Sequence, residues 1–136
     1  MEISVIKRDE PAGNSQKLKL LIAEDDYISS RMLAKRIEIF SSEIIFAENG
    51  AVAVEMIRSN PDIDLIFMDL GMPQMDGFEA IKKIREFNNK VIIIVQSAYG
   101  FNADKERASV CGCTDFIMKP IQKDQVFNTM RKYFNI

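Results

Sequence analysis

A chain of 136 residues, 47% hydrophobic and 28% charged, suits one domain with one real core. Its formal net charge of −2 gives no reason to expect nucleic acid or an anionic membrane as a direct partner, and no apolar run approaches the ~20 residues that cross a bilayer. The sequence contains no histidine, which excludes histidine triads, histidine metal sites and a role as a phosphohistidine donor. Cys111 and Cys113 are one residue apart, too close to bridge easily, and read as free thiols of a reducing cytoplasm. Without a histidine or a second cysteine pair they make no metal site.

Met1 to Arg8 show no signal-peptide pattern, and within them Glu2 to Lys7 alternates like a short strand. Arg8 to Gln16, with Asp9, Glu10, Pro11, Gly13, Asn14 and Ser15, reads as a linker. Residues 1–16 are therefore a tail or an interdomain linker, in the second case with Ile3 to Ile6 closing a preceding domain, and residues 17–136 form the folded domain. Leu18 to Ala23 is an apolar strand ending at Glu24-Asp25-Asp26. Tyr27 to Phe40 carries Ile28, Met32, Leu33, Ile37 and Phe40 at helical spacing. Glu43 to Ala47 is a short strand, Asn49-Gly50 a turn, and Ala51 to Arg58 a helix with Pro61 beyond its end. Ile63 to Met68 is an apolar run closed by Asp69, with Gly71 and Pro73 as turn signals, and reads as a buried strand. Pro73 to Gly77 is a loop, and Asp76 is placed to cap a helix from Phe78 to Phe87. Val91 to Val95 is almost purely β-branched, the pattern of a strand covered on both faces. Gln96 to Asn102 reads as a loop, Ala103 to Cys111 as a weaker helix, and Thr114 to Met118 as a fifth strand before Lys119-Pro120. Asp124 to Phe134 closes the chain as an amphipathic helix. Strand and helix thus alternate repeatedly, which predicts an α/β fold: a doubly wound parallel sheet with helices on both faces.

In such a sheet the carboxyl ends of the strands face one crevice. Those ends carry Glu24, Asp25 and Asp26, then Asp69, then Ser97, then Lys119. Crowded carboxylates repel, and a hard divalent cation such as Mg²⁺ relieves the repulsion while taking a few carboxylates, a carbonyl and waters as ligands. Two chemistries fit: hydrolysis of a phosphate ester, or acceptance of a phosphoryl group by Asp69 as a carboxylate nucleophile. Each residue alone has a plainer reading: the acidic triplet as a helix cap, Ser97 as a turn residue, Lys119 as a solvated loop lysine. Their joint placement at successive strand ends is what points to a site.

Four segments carry a resemblance: Leu20 to Asp26 (LLIAEDD), Met68 to Gly77 (MDLGMPQMDG), Val95 to Ala98 (VQSA) and Asp115 to Pro120 (DFIMKP). Together they make residues 17–134 resemble a response regulator receiver domain of two-component signalling. The resemblance implies a flavodoxin-like, five-stranded parallel sheet of order 2-1-3-4-5. It implies that Asp69 is the phosphoacceptor, charged from a phosphohistidine on a histidine kinase or histidine phosphotransfer domain. Asp25, Asp69 and the backbone carbonyl of Gly71 would bind Mg²⁺, with Glu24 acting mainly through water. Lys119 would pair with phosphoryl oxygens, Ser97 would move to hydrogen-bond one of them, and Phe116 would be the switch aromatic. Pro120 would follow a cis peptide. The responding surface would be the fourth helix, fifth strand and fifth helix, which is also where a homodimer would form. Gly71 and Tyr99 stand at positions that tune phosphoryl lifetime, and Gln96 takes a place usually held by a small or apolar residue.

A Mg²⁺-dependent phosphatase on a similar fold would need an aspartate two residues past Asp69, where Gly71 stands. A docking module that is never phosphorylated predicts an incomplete set of acids, serine and lysine, and here the set is complete. The expected function is therefore phosphoryl acceptance in a cytoplasmic two-component system or phosphorelay. The linker-like start favours a receiver from the C-terminal end of a hybrid sensor histidine kinase.

Overall fold

The computed structural model describes residues 4–7, 17–97 and 102–134. The elements are β1 (Ser4–Lys7), β2 (Leu18–Ala23), α1 (Tyr27–Ile37), β3 (Ser41–Ala47), α2 (Gly50–Ser59), β4 (Leu65–Asp69), α3 (Gly77–Phe87), β5 (Ile92–Ser97), α4 (Asn102–Cys111), β6 (Asp115–Met118) and α5 (Lys123–Tyr133). The linker 8–16 and the position of Tyr99 lie outside the described residues.

Five strands, β2 to β6, run parallel, and counted from β2 they follow the expected order 2-1-3-4-5. The apolar runs fix this arrangement. Every residue of β4 is buried, as a strand covered on both faces requires. Leu18, Leu20, Ile22, Leu65, Phe67 and Ile94 pack under α1 and α5. Leu21, Ala23, Ile66, Met68, Ile93 and Val95 pack under α2 and α3. The alternation along each strand thus divides one sheet between two cores. Burying a side chain such as Ile66 or Phe67 stabilises the fold by about 1.5–3 kcal/mol relative to leaving it in water.

Three differences from the sequence reading change the architecture most. The strand-like start, Ser4–Lys7, pairs antiparallel with β3, Val5 opposite Ile45, and so adds a sixth strand at the sheet edge. The helical spacing after Tyr27 runs on through Phe40, but α1 stops at Ile37 and Glu38–Phe40 forms a single 3₁₀ turn. Ser41 ends that turn in extended conformation, its hydroxyl donating to Glu38 O at 2.9 Å, and pairs with Leu18, so β3 begins two residues earlier than expected. Third, β5 continues through Gln96 and Ser97, which the sequence reading placed in a loop. Parallel pairing extends it, because Gln96 lies opposite Asp69 and Ser97 opposite Met118.

Two glycines let the loop between β4 and α3 lie against its neighbours. The N–H of Gly77 donates to Leu70 O at 3.1 Å, and a Cβ at Gly77 would stand 2.3 Å from Asp69 O and 2.9 Å from Leu70 Cα. Both obstacles are backbone, so nothing flexible can yield. Gly77→Ala is expected to lower the unfolding free energy by about 2 kcal/mol or more, read as a fall in the urea midpoint. Gly50 makes the same close approach from α2, its N–H donating to Met75 O at 3.0 Å.

At the far end of the chain, α5 is tied to β6 by one carboxylate. The Tyr133 hydroxyl donates to Asp115 Oδ2 at 2.6 Å and the Lys132 ammonium at 3.1 Å. Burial pushes the Asp115 carboxyl up, but the hydrogen bonds from Tyr133, the Phe116 N–H and Lys132 outweigh it and hold the group below its ordinary value. A carboxyl depressed in the folded state stabilises the fold above its unfolded pKa, and that contribution is lost as pH falls through the folded pKa. Asp115→Asn is therefore expected to destabilise by under about 1 kcal/mol at neutral pH and to be neutral in strong acid, checked by urea midpoints across pH. Among the described residues, no helix is long and apolar enough to cross a membrane.

Candidate functional site

The loops at the carboxyl ends of β2, β4 and β6 converge on one acidic cluster. Glu24 leaves β2 with its N–H bonded to Ala47 O at 2.9 Å, and the residue is only 5% exposed. Asp25 follows and is exposed, and Asp69 closes β4 at 7% exposure. One carboxylate oxygen from each of Glu24, Asp25 and Asp69 lies within 4.8 Å of the others. The sequence reading placed these three together at separate strand ends, and the structure brings them there.

Lys119 supplies the cation. Its N–H donates to Ser97 O at 2.7 Å, which fixes the loop after β6 beside the end of β5. The following Lys119–Pro120 peptide is cis, as the resemblance implies. The ammonium donates to Glu24 Oε1 and lies 3.3 Å from Asp69 Oδ1. Burial works against this ammonium, but the hydrogen bond it donates to Glu24 and the charge of Asp69 raise it above the ordinary lysine value, so it stays protonated. Burial pushes the Glu24 carboxyl up despite its bond to Lys119, and Asp69 pushes the same way. Burial and the hydrogen bond with Glu24 likewise raise Asp25. The Lys119 ammonium is thus shared between the Glu24 and Asp69 carboxylates.

The remaining candidate residues divide. Asp26 caps α1, its Oδ2 accepting from Ser29 N at 2.9 Å and from the Ser29 hydroxyl at 2.5 Å. It is committed to the helix, in line with the sequence reading, which gave it no ligand role. Gly71 stands on open loop, where an added Cβ would meet nothing within 4 Å. Gln74, in the same loop, takes a left-handed φ of 65°. Ser97 is buried at the end of β5, one residue past the partner of Asp69. Phe116 is half-buried against the core under α2 and α3.

One participant escaped the sequence reading. Arg31 and Glu48 line a cavity of about 160 Å³ with Glu24 and Asp25. The Arg31 guanidinium stacks 3.6 Å from the Phe46 ring centroid and 4.4 Å from that of Tyr27. The only available signal was the four-residue spacing from Tyr27 to Arg31 on one helix face.

The carboxyl ends of the parallel strands in this α/β sheet thus gather three acids and a lysine in one crevice. The family model for the response regulator receiver domain matches residues 20–131. The chain is 38% identical over 117 residues to chemotaxis protein CheY of Bacillus subtilis, covering 85% of this chain and 97% of that protein. It is 34% identical over 122 residues to hybrid signal transduction histidine kinase L of Dictyostelium discoideum, covering 85% of this chain and 7% of the kinase. The receiver domain of the Saccharomyces cerevisiae response regulator Ssk1, solved with the histidine phosphotransfer protein Ypd1, superposes with a TM-score of 0.81 at 29% identity, over 89% of this chain and 91% of that one. The chain therefore belongs to the response regulator receiver domain family and is a receiver of two-component signalling. It spans 13% or less of the plant and slime-mould histidine kinases that it matches.

Proposed function

We propose that this receiver takes a phosphoryl group onto Asp69 from a histidine of a partner kinase or phosphotransfer protein, and that Mg²⁺ is its cofactor. The observation that carries this reading is the joint placement of the Glu24, Asp25 and Asp69 oxygens within 4.8 Å of one another, with the Lys119 ammonium 3.3 Å from Asp69. Three carboxylate oxygens within 4.8 Å of one another are close enough that one small divalent cation could be held among them. The donor set is also of the right kind: hard carboxylate oxygens, no sulfur or imidazole. Asp25, Asp69 and the Gly71 carbonyl would hold the ion, with Glu24 acting through water. When bound, it supplies positive charge that lets a phosphoryl group approach a carboxylate.

The chain's own residues do the rest. Asp69 attacks the phosphorus with one carboxylate oxygen. The new O–P bond forms as the N–P bond of the partner phosphohistidine breaks, and the imidazole leaves neutral, keeping the proton already carried on its other ring nitrogen. Lys119, already held by Glu24, pairs with a phosphoryl oxygen and stabilises the spreading charge. Ser97 hydrogen-bonds another oxygen, and Phe116 follows it inward. The added charge, roughly −1.5 to −2, biases the face made by α4, β6 and α5, where Val110 is 88% and Met118 51% exposed. The partner class is supported by the kinase relatives and by the Ssk1 receiver solved with Ypd1. On this reading the chain is the receiver segment of a larger histidine kinase or a stand-alone regulator, acting by relay or by surface docking.

The test is transfer from a phosphorylated histidine phosphotransfer protein to the purified chain. Transfer is expected only with Mg²⁺ present, and Asp25→Asn is expected to raise the Mg²⁺ concentration required by at least about tenfold. Equal transfer in excess chelator would refute the role of the metal.

A further inference from the structure

A second cavity lies on the α1–α5 side of the sheet and shares Lys119 with the acidic cluster. It has a volume of about 410 Å³ and opens between α1, the end of β5 and the loop from β6 to α5. Met32, Leu33, Pro120 and Ile121 give it apolar walls. Two nitrogen donors in its lining are buried without a hydrogen-bond partner: Nε2 of Gln96 and Nε of Arg36. Gln96 is only 2% exposed, so its amide has left water without a protein acceptor to replace it. A buried donor left in this way destabilises the fold unless an acceptor reaches it. Its place on β5 follows Ile92 and Ile94, which face the same core, so the strand pattern calls for an apolar residue there. An orphaned amide and a guanidinium N–H at one cavity call for an acceptor from outside.

We propose that this cavity binds a small monocarboxylate with an apolar body, its oxygens taken by Gln96 and Arg36 and its body seated among Met32, Leu33, Pro120 and Ile121. The volume falls within the ~300–1,000 Å³ of small-molecule sites, whose walls are mostly apolar with a few convergent polar groups. A carboxylate fits the donors better than a neutral carbonyl, because one of them belongs to a permanent cation. A phosphate or sulfate fits worse. The other cation lining the cavity is Lys119, whose ammonium is held by Glu24 and Asp69, and the apolar walls give a dianion nothing. This inference does not depend on phosphorylation of Asp69.

The test is a titration of the full chain with hexanoate and with phenylacetate, followed by amide chemical shifts, with the matched alcohols hexanol and phenylethanol as controls. The acids are expected to shift the amides of Met32, Gln96 and Ile121 saturably, and the alcohols to bind at least about tenfold more weakly. Gln96→Leu removes the orphaned amide at nearly constant volume. It is expected to match or exceed the wild-type thermal midpoint without ligand while losing acid binding at least about tenfold. Arg36→Gln is expected to lose it similarly, and Asp69→Asn to bind like the wild type. The proposal is overturned if no acid saturates the shifts, if Gln96→Leu binds as well as the wild type, or if Asp69→Asn abolishes binding. It is equally overturned if these amides respond only to an added phosphotransfer protein, which would make the cavity part of a docking face.

Discussion

Asp69→Asn should leave a folded protein that takes up no phosphoryl group. With Mg²⁺ and a small phosphodonor such as acetyl phosphate, the wild type should gain the mass of one phosphoryl group, and the variant should lose uptake by ~10³-fold or more. The reason is atomic. In the proposed reaction the nucleophile is a carboxylate oxygen at the end of β4, and an amide at that position is neutral and a poor nucleophile toward phosphorus. Glu24 and Asp25 have oxygens within 4.8 Å but cannot take over. Glu24 accepts from Lys119 and from the Asp26 N–H, while Asp25 is assigned to the metal. The substitution also removes one of three mutually repelling charges, so the metal-free variant should be at least as resistant to urea as the wild type. That second readout separates loss of the nucleophile from loss of the fold. Equal mass gain in both proteins would take Asp69 out of the reaction.

Lys119→Met carries the next largest expected effect, a fall of roughly 10²-fold in the rate of phosphoryl uptake at saturating Mg²⁺. Methionine keeps much of the aliphatic stem and removes the ammonium. Two consequences follow from the geometry. The spreading charge on the phosphoryl oxygens loses the cation that stands 3.3 Å from Asp69. The buried Glu24 carboxylate loses its partner as well, and an uncompensated buried charge destabilises the fold. The metal-free variant should therefore melt lower than the wild type, and Mg²⁺ should recover more of its stability than it adds to the wild type. An unchanged rate would show that Lys119 only holds Glu24 in place.

The sheet was legible in the sequence because of how parallel strands are buried. Leu20 to Ala23, Leu65 to Met68 and Ile93 to Val95 are covered on both faces, so each reads as an unbroken apolar run whose end can be located. That is why Glu24, Asp25, Asp69 and Lys119 could be assigned to one crevice before any coordinates. Three things were hidden for separate reasons. Alternation in Ser4–Lys7 signals a strand but carries nothing about its partner, which proved to be the free edge of β3. Gln96 looked like the start of a loop because a polar residue breaks the apolar run, yet backbone pairing with Asp69 holds it in β5 with its amide buried. Arg31 stacks on Phe46, a contact between α1 and β3 that spacing along one helix does not reveal. The weakest pattern, Ala103 to Cys111, did give a helix, and its described residues from Glu106 to Val110 are exposed. An element so lightly packed suits a surface that must respond to a small electrostatic change.

The most direct measurement is to trap the phosphorylated protein with borohydride, which reduces an acyl phosphate to an alcohol, and to locate the reduced residue by peptide mass mapping. Reduction at position 69 alone, dependent on Mg²⁺ and absent when Asp25 is replaced by asparagine at the same limiting metal concentration, is the predicted result. Reduction at Glu24, Asp25 or any other carboxylate, or stable label that borohydride does not touch, would contradict it.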